Sequence, residues 1–359
     1  MTEGKIRLLL VFGGRSAEHE VSVVSAASVA RALDPGRYHV VPVGIDKEGR
    51  WHLLPAPPAI QAGSSEELPS VGPKAGSGIA LSPEPGAREL VTDAGEREAI
   101  DVALPMLHGP FGEDGTIQGL FELAGIPYVG AGVLASAVGM DKSVQKVLFH
   151  AAGLPVVRHE VVTEHEWRED PDAVAARAES LGTPLFVKPS SLGSSVGITK
   201  VKSLADLDQA LEEAFRHGRK AVVEESAEGA REIEVAVLGN DDPVASLPAE
   251  IIPKAEFYDY RAKYLDDSTE LEVPARVPRE VVEELQRMAV TAFRAIDCAG
   301  MARVDFFYRE PSELIVGEIN TIPGFTEVSM YPRMWEASGV AYGDLLDRLI
   351  TLALERHGR

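Results

Sequence analysis

The chain has 359 residues, a length that argues for two or three domains rather than one. Its formal net charge of −21 argues against nucleic acid and anionic membrane as partners, and makes any local cluster of Lys and Arg informative. No apolar run approaches the roughly 18 residues of a membrane span, and the one cysteine, Cys298, excludes an internal disulfide, suits a reducing cytoplasm and reads as a core residue.

KIRLLLVFGG at the N-terminus reads as a buried strand ending in Gly13 and Gly14. It lacks the small-residue cleavage pattern of a signal peptide. RSAEHEVSVVSAASVARAL then places apolar residues at helical spacing, with Ser16 as N-cap. Strand, tight turn and helix open a doubly wound parallel sheet, to which YHVVPVGID and DVALPMLHG add strands. Between them, Pro55 to Gly95 is rich in Pro, Gly, Ser and Ala and reads as an insertion of mostly loop structure. MDKSVQKVLFHAAG is a helix closed by Gly153. Strands LPVVRHEVV, PLFVKPS, VGITKV and KAVVEES, with helices near DPDAVAARAESLG and SLADLDQALEEAFRHG, make a small α+β unit. Strands REIEVAVLG and AEIIP, an irregular EFYDYRAKYLDDST, a helix over REVVEELQRMAVTAFRAID and a strand pair follow; an amphipathic WEASGVAYGDLLDRLITLALERHG ends the chain.

The strand pair, ARVDFFYREPSELIVGEIN, flanks Pro311-Ser312. With that dipeptide as the turn, Glu310 faces Glu313, Asp305 faces Glu318 and Arg303 faces Asn320. Residues two apart share a face, so Arg303, Asp305, Glu318 and Asn320 fall on one side. Cross-strand Cβ atoms lie about 4.5–5.5 Å apart, and two carboxylates that close repel unless a cation lies between them. Oxygen donors from Asp, Glu and Asn suit Mg²⁺ or Mn²⁺, and a shared Glu318 can bridge two ions. An exposed hairpin face of solvated charges fits the pattern equally well.

FVKPSSLGSSVGITKV carries Lys188 at a strand end, and backbone amides of such a Gly/Ser loop can wrap phosphate oxygens. It joins two strands and lacks the Gly-Lys-Ser/Thr of a P-loop; alone it reads as well as a flexible hairpin tip. Lys142 is a second cation, which in isolation is a solvated helix lysine. Glu225 at a strand end and Glu232 seven residues later suit an adenine edge and a ribose.

Together these features resemble the ATP-grasp carboxylate–amine ligases, and within them the D-alanine–D-alanine ligases. GGRSAEHEVS, HGPFGEDGTIQG, GMDKSVQK, VKPSSLGSSVG, EFYDYRAKY, ARVDFF and EINTIPGFTEVSMYP occur in the family's order and span nearly the whole chain. The resemblance implies an α/β fold of three parts: a doubly wound domain over 1–139, a small central domain over 140–231 and a C-terminal domain over 232–359, with ATP between the last two. It implies that ATP phosphorylates one D-alanine and that a second D-alanine attacks the acylphosphate, in peptidoglycan precursor synthesis. Asp305, Glu318 and Asn320 match the ligands of two Mg²⁺ (or Mn²⁺) ions. Lys142 and Lys188 match the phosphate lysines. SLGSSVG matches a phosphate lid with Ser195 near the phosphates. Glu225, Ser226 and Ala227 match the adenine linker, Glu232 the ribose carboxylate and Phe257 an adenine contact.

For the amino acids, Glu18 matches the partner of the first D-alanine's ammonium, although alone it reads as a first-turn Glu favouring the helix dipole. His108 matches the neighbour of that substrate's carboxylate. Arg303 and the Gly324 amide match the oxyanion pair. Lys263, Ser329 and the Met330 amide match the cradle of the second carboxylate, and Glu18, Ser194 and Tyr264 a hydrogen-bonded trio. The intact KYLDD favours D-alanine over D-lactate as acceptor. A regulatory nucleotide-binding module that has lost catalysis is expected to lack one of Arg303, Asp305, Glu318 or Asn320, and all are present. The resemblance further implies a cytoplasmic homodimer with neither nucleic acid nor membrane as partner.

Overall fold

The computed structural model describes residues 4–58, 69–73, 75–82, 84, 86–193, 196–253 and 269–358. Ser194, Ser195, Phe257, Lys263 and Tyr264, assigned roles above, lie outside the described residues.

The apolar run at the N-terminus forms strand Ile6–Gly13, parallel to Tyr38–Ile45 on one side and to Val102–Met106 on the other. Leu8 to Phe12 are all fully buried, as befits a strand covered on both faces. Gly13 ends it at φ +88°, where a side chain would strike the Ile45 carbonyl oxygen. The helix that follows is His19–Ala32, two residues later than an N-cap at Ser16 requires. Glu18 takes the cap position, without a side-chain cap bond. The Ser16 hydroxyl instead donates to the His108 carbonyl (2.7 Å) and accepts from the Glu18 amide (3.2 Å), tying two strand ends together.

The expected loop insertion contributes strands Ser77–Leu81 and Glu89–Thr92, which with Trp51–Leu53 and Arg97–Ala99 extend the sheet by four antiparallel strands. These strands are three to five residues long, too short to set a legible period.

A four-stranded antiparallel sheet runs in the order Thr199–Val201, Leu185–Pro189, Lys220–Glu225, His159–Thr163. Helices Pro171–Leu181 and Leu207–Phe215 bury Val174, Ala178, Leu207 and Leu211 against it in a core of its own. The third sheet orders Thr269–Glu272, Ala249–Pro253, Arg231–Gly239, Gly300–Arg309 and Glu313–Asn320, all antiparallel. Helix Arg279–Ala295 packs on it together with Phe149 and Leu154. The expected C-terminal amphipathic stretch is two helices, Met330–Ala337 and Tyr342–Arg356, separated at Gly339. Their Tyr331, Trp335, Leu345 and Leu349 share a core with Leu8, Leu10 and Val102 of the first sheet.

The hairpin differs from expectation at its tip. Arg309 pairs with Glu313, so the turn is three residues, 310–312, and Glu310 does not face Glu313. Gly317 is then skipped in a bulge between Asp305 and Phe306, which restores Asp305↔Glu318 and Arg303↔Asn320. Among the described residues no helix is long and apolar enough to cross a membrane.

Candidate functional site

A cavity of about 650 Å³ opens between the second and third sheets. Strand Leu185–Pro189 sends in Lys188, and the end of strand Lys220–Glu225 leads into Glu225, Ser226 and Ala227. Glu232, Arg303, Asp305 and Glu318 enter from the third sheet, and Lys142 from the start of helix Lys142–Ala151. Nine of the residues singled out in the sequence therefore line one space.

Its charges are matched in pairs. Arg303 grips Asp305 with both arms of the guanidinium, Nε to Oδ1 and Nη2 to Oδ2, each at 2.7 Å. Glu234 lies 3.2 Å from the same Nε. Burial opposes the Arg303 charge, but Asp305 and Glu234 outweigh it and hold the guanidinium firmly protonated. Lys142 Nζ lies 2.8 Å from Glu318 Oε2 and donates to the Leu192 carbonyl at 2.9 Å. Among the described residues no group of three His, Cys, Asp or Glu is placed to hold a metal; the expected set has two carboxylates and an amide. Asp305 and Glu318 face each other across the ladder, each beside a cation, and Asn320 is two pairs further along, on the same face. Hard oxygen donors of this kind fit Mg²⁺ or Mn²⁺.

Sequence reading missed the charges behind Lys188. Its Nζ donates to Glu224 Oε2 at 2.6 Å, and Lys146 Nζ lies 3.0 Å from Glu224 Oε1. Lys146 and Glu224 are both buried. Burial lowers the Lys146 pKa; for Glu224 burial pulls upward, but the two lysines win and hold its carboxyl at about 2. Lys146 stands four residues after Lys142, on the same helix face, and that spacing is the signal that could have found it.

Glu18 and His108 lie together at a neighbouring point. His108, buried at the end of Val102–Met106, approaches the Ile322 carbonyl through Nδ1 (3.1 Å) and Ser25 Oγ through Nε2 (3.2 Å). The Ile322 amide in turn donates to Asn320 Oδ1 at 3.0 Å, so His108 abuts the carboxylate hairpin. Burial works against a charged His108, but Glu113 and Glu18 outweigh it and raise its pKa. A side chain at Gly109 would come within 3.0 Å of the Glu18 carboxylate, and one at Gly193 within 4.0 Å, so Glu18 lies beside both the His108 turn and the Gly/Ser loop. Gly324 is half-buried in the loop after the hairpin. Ser329 precedes helix Met330–Ala337, its hydroxyl accepting from the Thr326 amide at 3.0 Å. The amides from Met330 onward form a helix N-terminus, a place suited to a carboxylate.

The family model "D-ala D-ala ligase N-terminus" matches residues 7–131 and "D-ala D-ala ligase C-terminus" matches residues 148–351. The D-alanine–D-alanine ligase of Paenarthrobacter aurescens (strain TC1) is 50% identical over 98% of this chain and 96% of its own length. That of Deinococcus radiodurans is 49% identical over 98% and 99%. Among solved structures, the D-alanine–D-alanine ligase from Coxiella burnetii aligns with a TM-score of 0.86 at 40% identity, over 98% of this chain and 95% of that one. The VanG D-Ala:D-Ser ligase from Enterococcus faecalis aligns at 0.85 and 35% identity, over 98% and 100%. Two family models over most of the chain, and relatives of about half identity along almost its full length, place the chain in the D-alanine–D-alanine ligase family.

Proposed function

We propose that this chain uses ATP to join two D-alanine molecules into D-alanyl-D-alanine, with release of ADP and phosphate, for peptidoglycan precursors. The observation that carries the reading is the cavity in which Lys142, Lys188, Arg303, Asp305 and Glu318 converge between two antiparallel sheets. A carboxylate is a poor electrophile and its oxygen a poor leaving group; phosphorylation cures both. Its attack on a triphosphate meets charge repulsion, which cations in a cavity offset.

Glu225, Ser226 and Ala227 receive the adenine and Glu232 the ribose, at the rim of the cavity. Lys142 and Lys188 leave their carboxylate partners to meet the phosphates, with Ser195 of the Gly/Ser loop as a further contact. Asp305, Glu318 and Asn320 hold Mg²⁺ or Mn²⁺, which when bound neutralises phosphate charge and polarises phosphate oxygens. Glu18 takes the ammonium of the first D-alanine, and His108 its carboxylate. That carboxylate oxygen bonds to the γ-phosphorus as the bond to ADP breaks. Ser329, the Met330 amide and Lys263 hold the carboxylate of the second D-alanine, so its amine nitrogen reaches the acyl carbon. Arg303 and the Gly324 amide stabilise the oxyanion until phosphate departs with the electron pair of the carbon–oxygen bond.

The division into 1–139, 140–231 and 232–359 follows, supported by one sheet in each span. The enzyme works in the cytoplasm as a homodimer; exposed Leu123, Leu134 and Val147 on neighbouring helices offer apolar surface to a second copy, and sedimentation tests that. The function is tested by phosphate release from ATP and Mg²⁺ with D-alanine, D-serine, D-lactate or L-alanine, with the product weighed by mass spectrometry. D-Alanine-dependent release yielding the dipeptide is the expected result. Release only with another acceptor discards the second substrate, and ATP binding without release discards catalysis.

A further inference from the structure

Asp141 does more than cap a helix. A cap needs only the amides of the first turn, and Asp141 Oδ1 accepts those of Ser143 (3.1 Å) and Val144 (3.3 Å). The same oxygen also accepts from the hydroxyls of Ser143 and Ser190, each at 2.6 Å. Oδ2 takes Lys220 Nζ at 2.5 Å, and that ammonium donates to Ser143 Oγ at 3.0 Å as well. Burial resists the Asp141 charge, yet Lys220 and the two serines hold its carboxyl at about 2.

These bonds join three segments far apart in sequence. Asp141 adjoins Lys142; Ser190 opens the Gly/Ser loop after strand Leu185–Pro189; Lys220 starts the adjacent strand. Backbone bonds tighten the joint: the Lys142 amide to the Ser190 carbonyl (2.8 Å), and the Ser190 amide to the Lys220 carbonyl (3.0 Å). Lys142 Nζ reaches two residues further into the loop, to the Leu192 carbonyl. The lysine that is to meet phosphate and the entry of the loop beside it are thus held by one carboxylate.

We propose that Asp141 and Lys220 are positioning residues for phosphoryl transfer, locking the Lys142 helix to the entry of the Gly/Ser loop so that the acylphosphate is kept for the amine and away from water. The inference rests on the proposed function. In the side reaction, water oxygen bonds to the acyl carbon, the bond from that carbon to the phosphate oxygen breaks, and phosphate leaves with the electron pair. The carboxyl proton is lost to solvent and D-alanine is regenerated, so ATP is spent without dipeptide.

The test measures phosphate and D-alanyl-D-alanine in the same samples for the full-length enzyme, Asp141→Ala, Lys220→Met and Asp141→Asn. Asp170→Ala is the structural control, because Asp170 caps helix Pro171–Leu181 through the Ala173 amide alone. The wild type and the control give one phosphate per dipeptide. Asp141→Ala gives an excess of phosphate and an ATP KM raised about tenfold, within the roughly 10²-fold that a 1 Å misplacement can cost. Lys220→Met shifts both in the same direction by less, and Asp141→Asn, which keeps an acceptor oxygen, is partly rescued. Should Asp141→Ala not fold, Lys220→Met still decides. A coupled wild type beside Asp141→Ala and Lys220→Met variants that keep a ratio of one and an unchanged KM would overturn the joint alone. A wild type with no D-alanine-dependent phosphate would overturn the functional reading and the joint with it.

Discussion

Two ammonium groups converge on the buried Glu224, that of buried Lys146 and that of Lys188 at the cavity wall. Glu224→Gln leaves the buried Lys146 with a neutral partner inside the protein. Breaking a buried ion pair from one side costs about 3–5 kcal/mol, which a lowered denaturation midpoint will show. The pH dependence has a definite sign. The Glu224 carboxyl titrates at about 2 against an ordinary 4.5, so its contribution is complete above the ordinary value and is lost as pH falls towards 2. Wild-type stability should decline over that window, and the decline should be shallower in Glu224→Gln; equal slopes in both proteins contradict the assignment. Glu318 acts in the cavity itself. Glu318→Gln should lose at least about 10²-fold in turnover, as removal of electrostatic stabilisation does, while its circular dichroism stays that of the wild type. Normal turnover would remove Glu318 from the metal set.

At the scale of elements, helix Lys142–Ala151 joins the two sheets that enclose the cavity. Asp141 fastens its start to the second sheet, and Gln145 fastens it to the third by accepting from the Ile319 amide (3.1 Å) and donating to the Ile319 carbonyl (3.3 Å). Gln145→Leu removes both bonds and leaves buried polar groups, at about 1–3 kcal/mol. The ATP KM should rise along with the drop in stability; a stability loss with unchanged KM would make Gln145 purely structural. The hairpin beside it shows what sequence can carry. The pairing of Asp305 with Glu318 was legible although the assumed turn was one residue too short, because the Gly317 bulge offsets the three-residue turn. Alternation put the carboxylates on one face, but nothing in the period announces a bulge. Glu224 was hidden for a different reason: Glu225 stood out at the strand end, and the fold brings Lys146 beneath its neighbour.

At the scale of the molecule, the first and third sheets share a core. Leu8, Leu10 and Val102 meet Leu345, Leu346 and Leu349 of the last helix. Leu349→Ala should cost about 2–5 kcal/mol. The second sheet keeps a separate core around Val187, Leu211 and Val223, so amide exchange should be faster in 159–225 than in strands Ile6–Gly13 and Gly300–Arg309. Uniform exchange rates would contradict that partition. The separate sheets were foreseeable from runs of apolar residues punctuated by Gly and Pro. The shared core was not, because it pairs the two ends of the chain, and no local pattern encodes which helix covers which sheet.

In the proposed reaction the γ-phosphate of ATP passes to a carboxylate oxygen of D-alanine. The most direct measurement supplies D-alanine labelled with ¹⁸O in its carboxylate, with ATP and Mg²⁺, and weighs the phosphate released. Transfer through an acylphosphate places one ¹⁸O from the substrate in each phosphate formed with dipeptide. Phosphate free of the label, formed in step with the dipeptide, would contradict transfer through an acylphosphate.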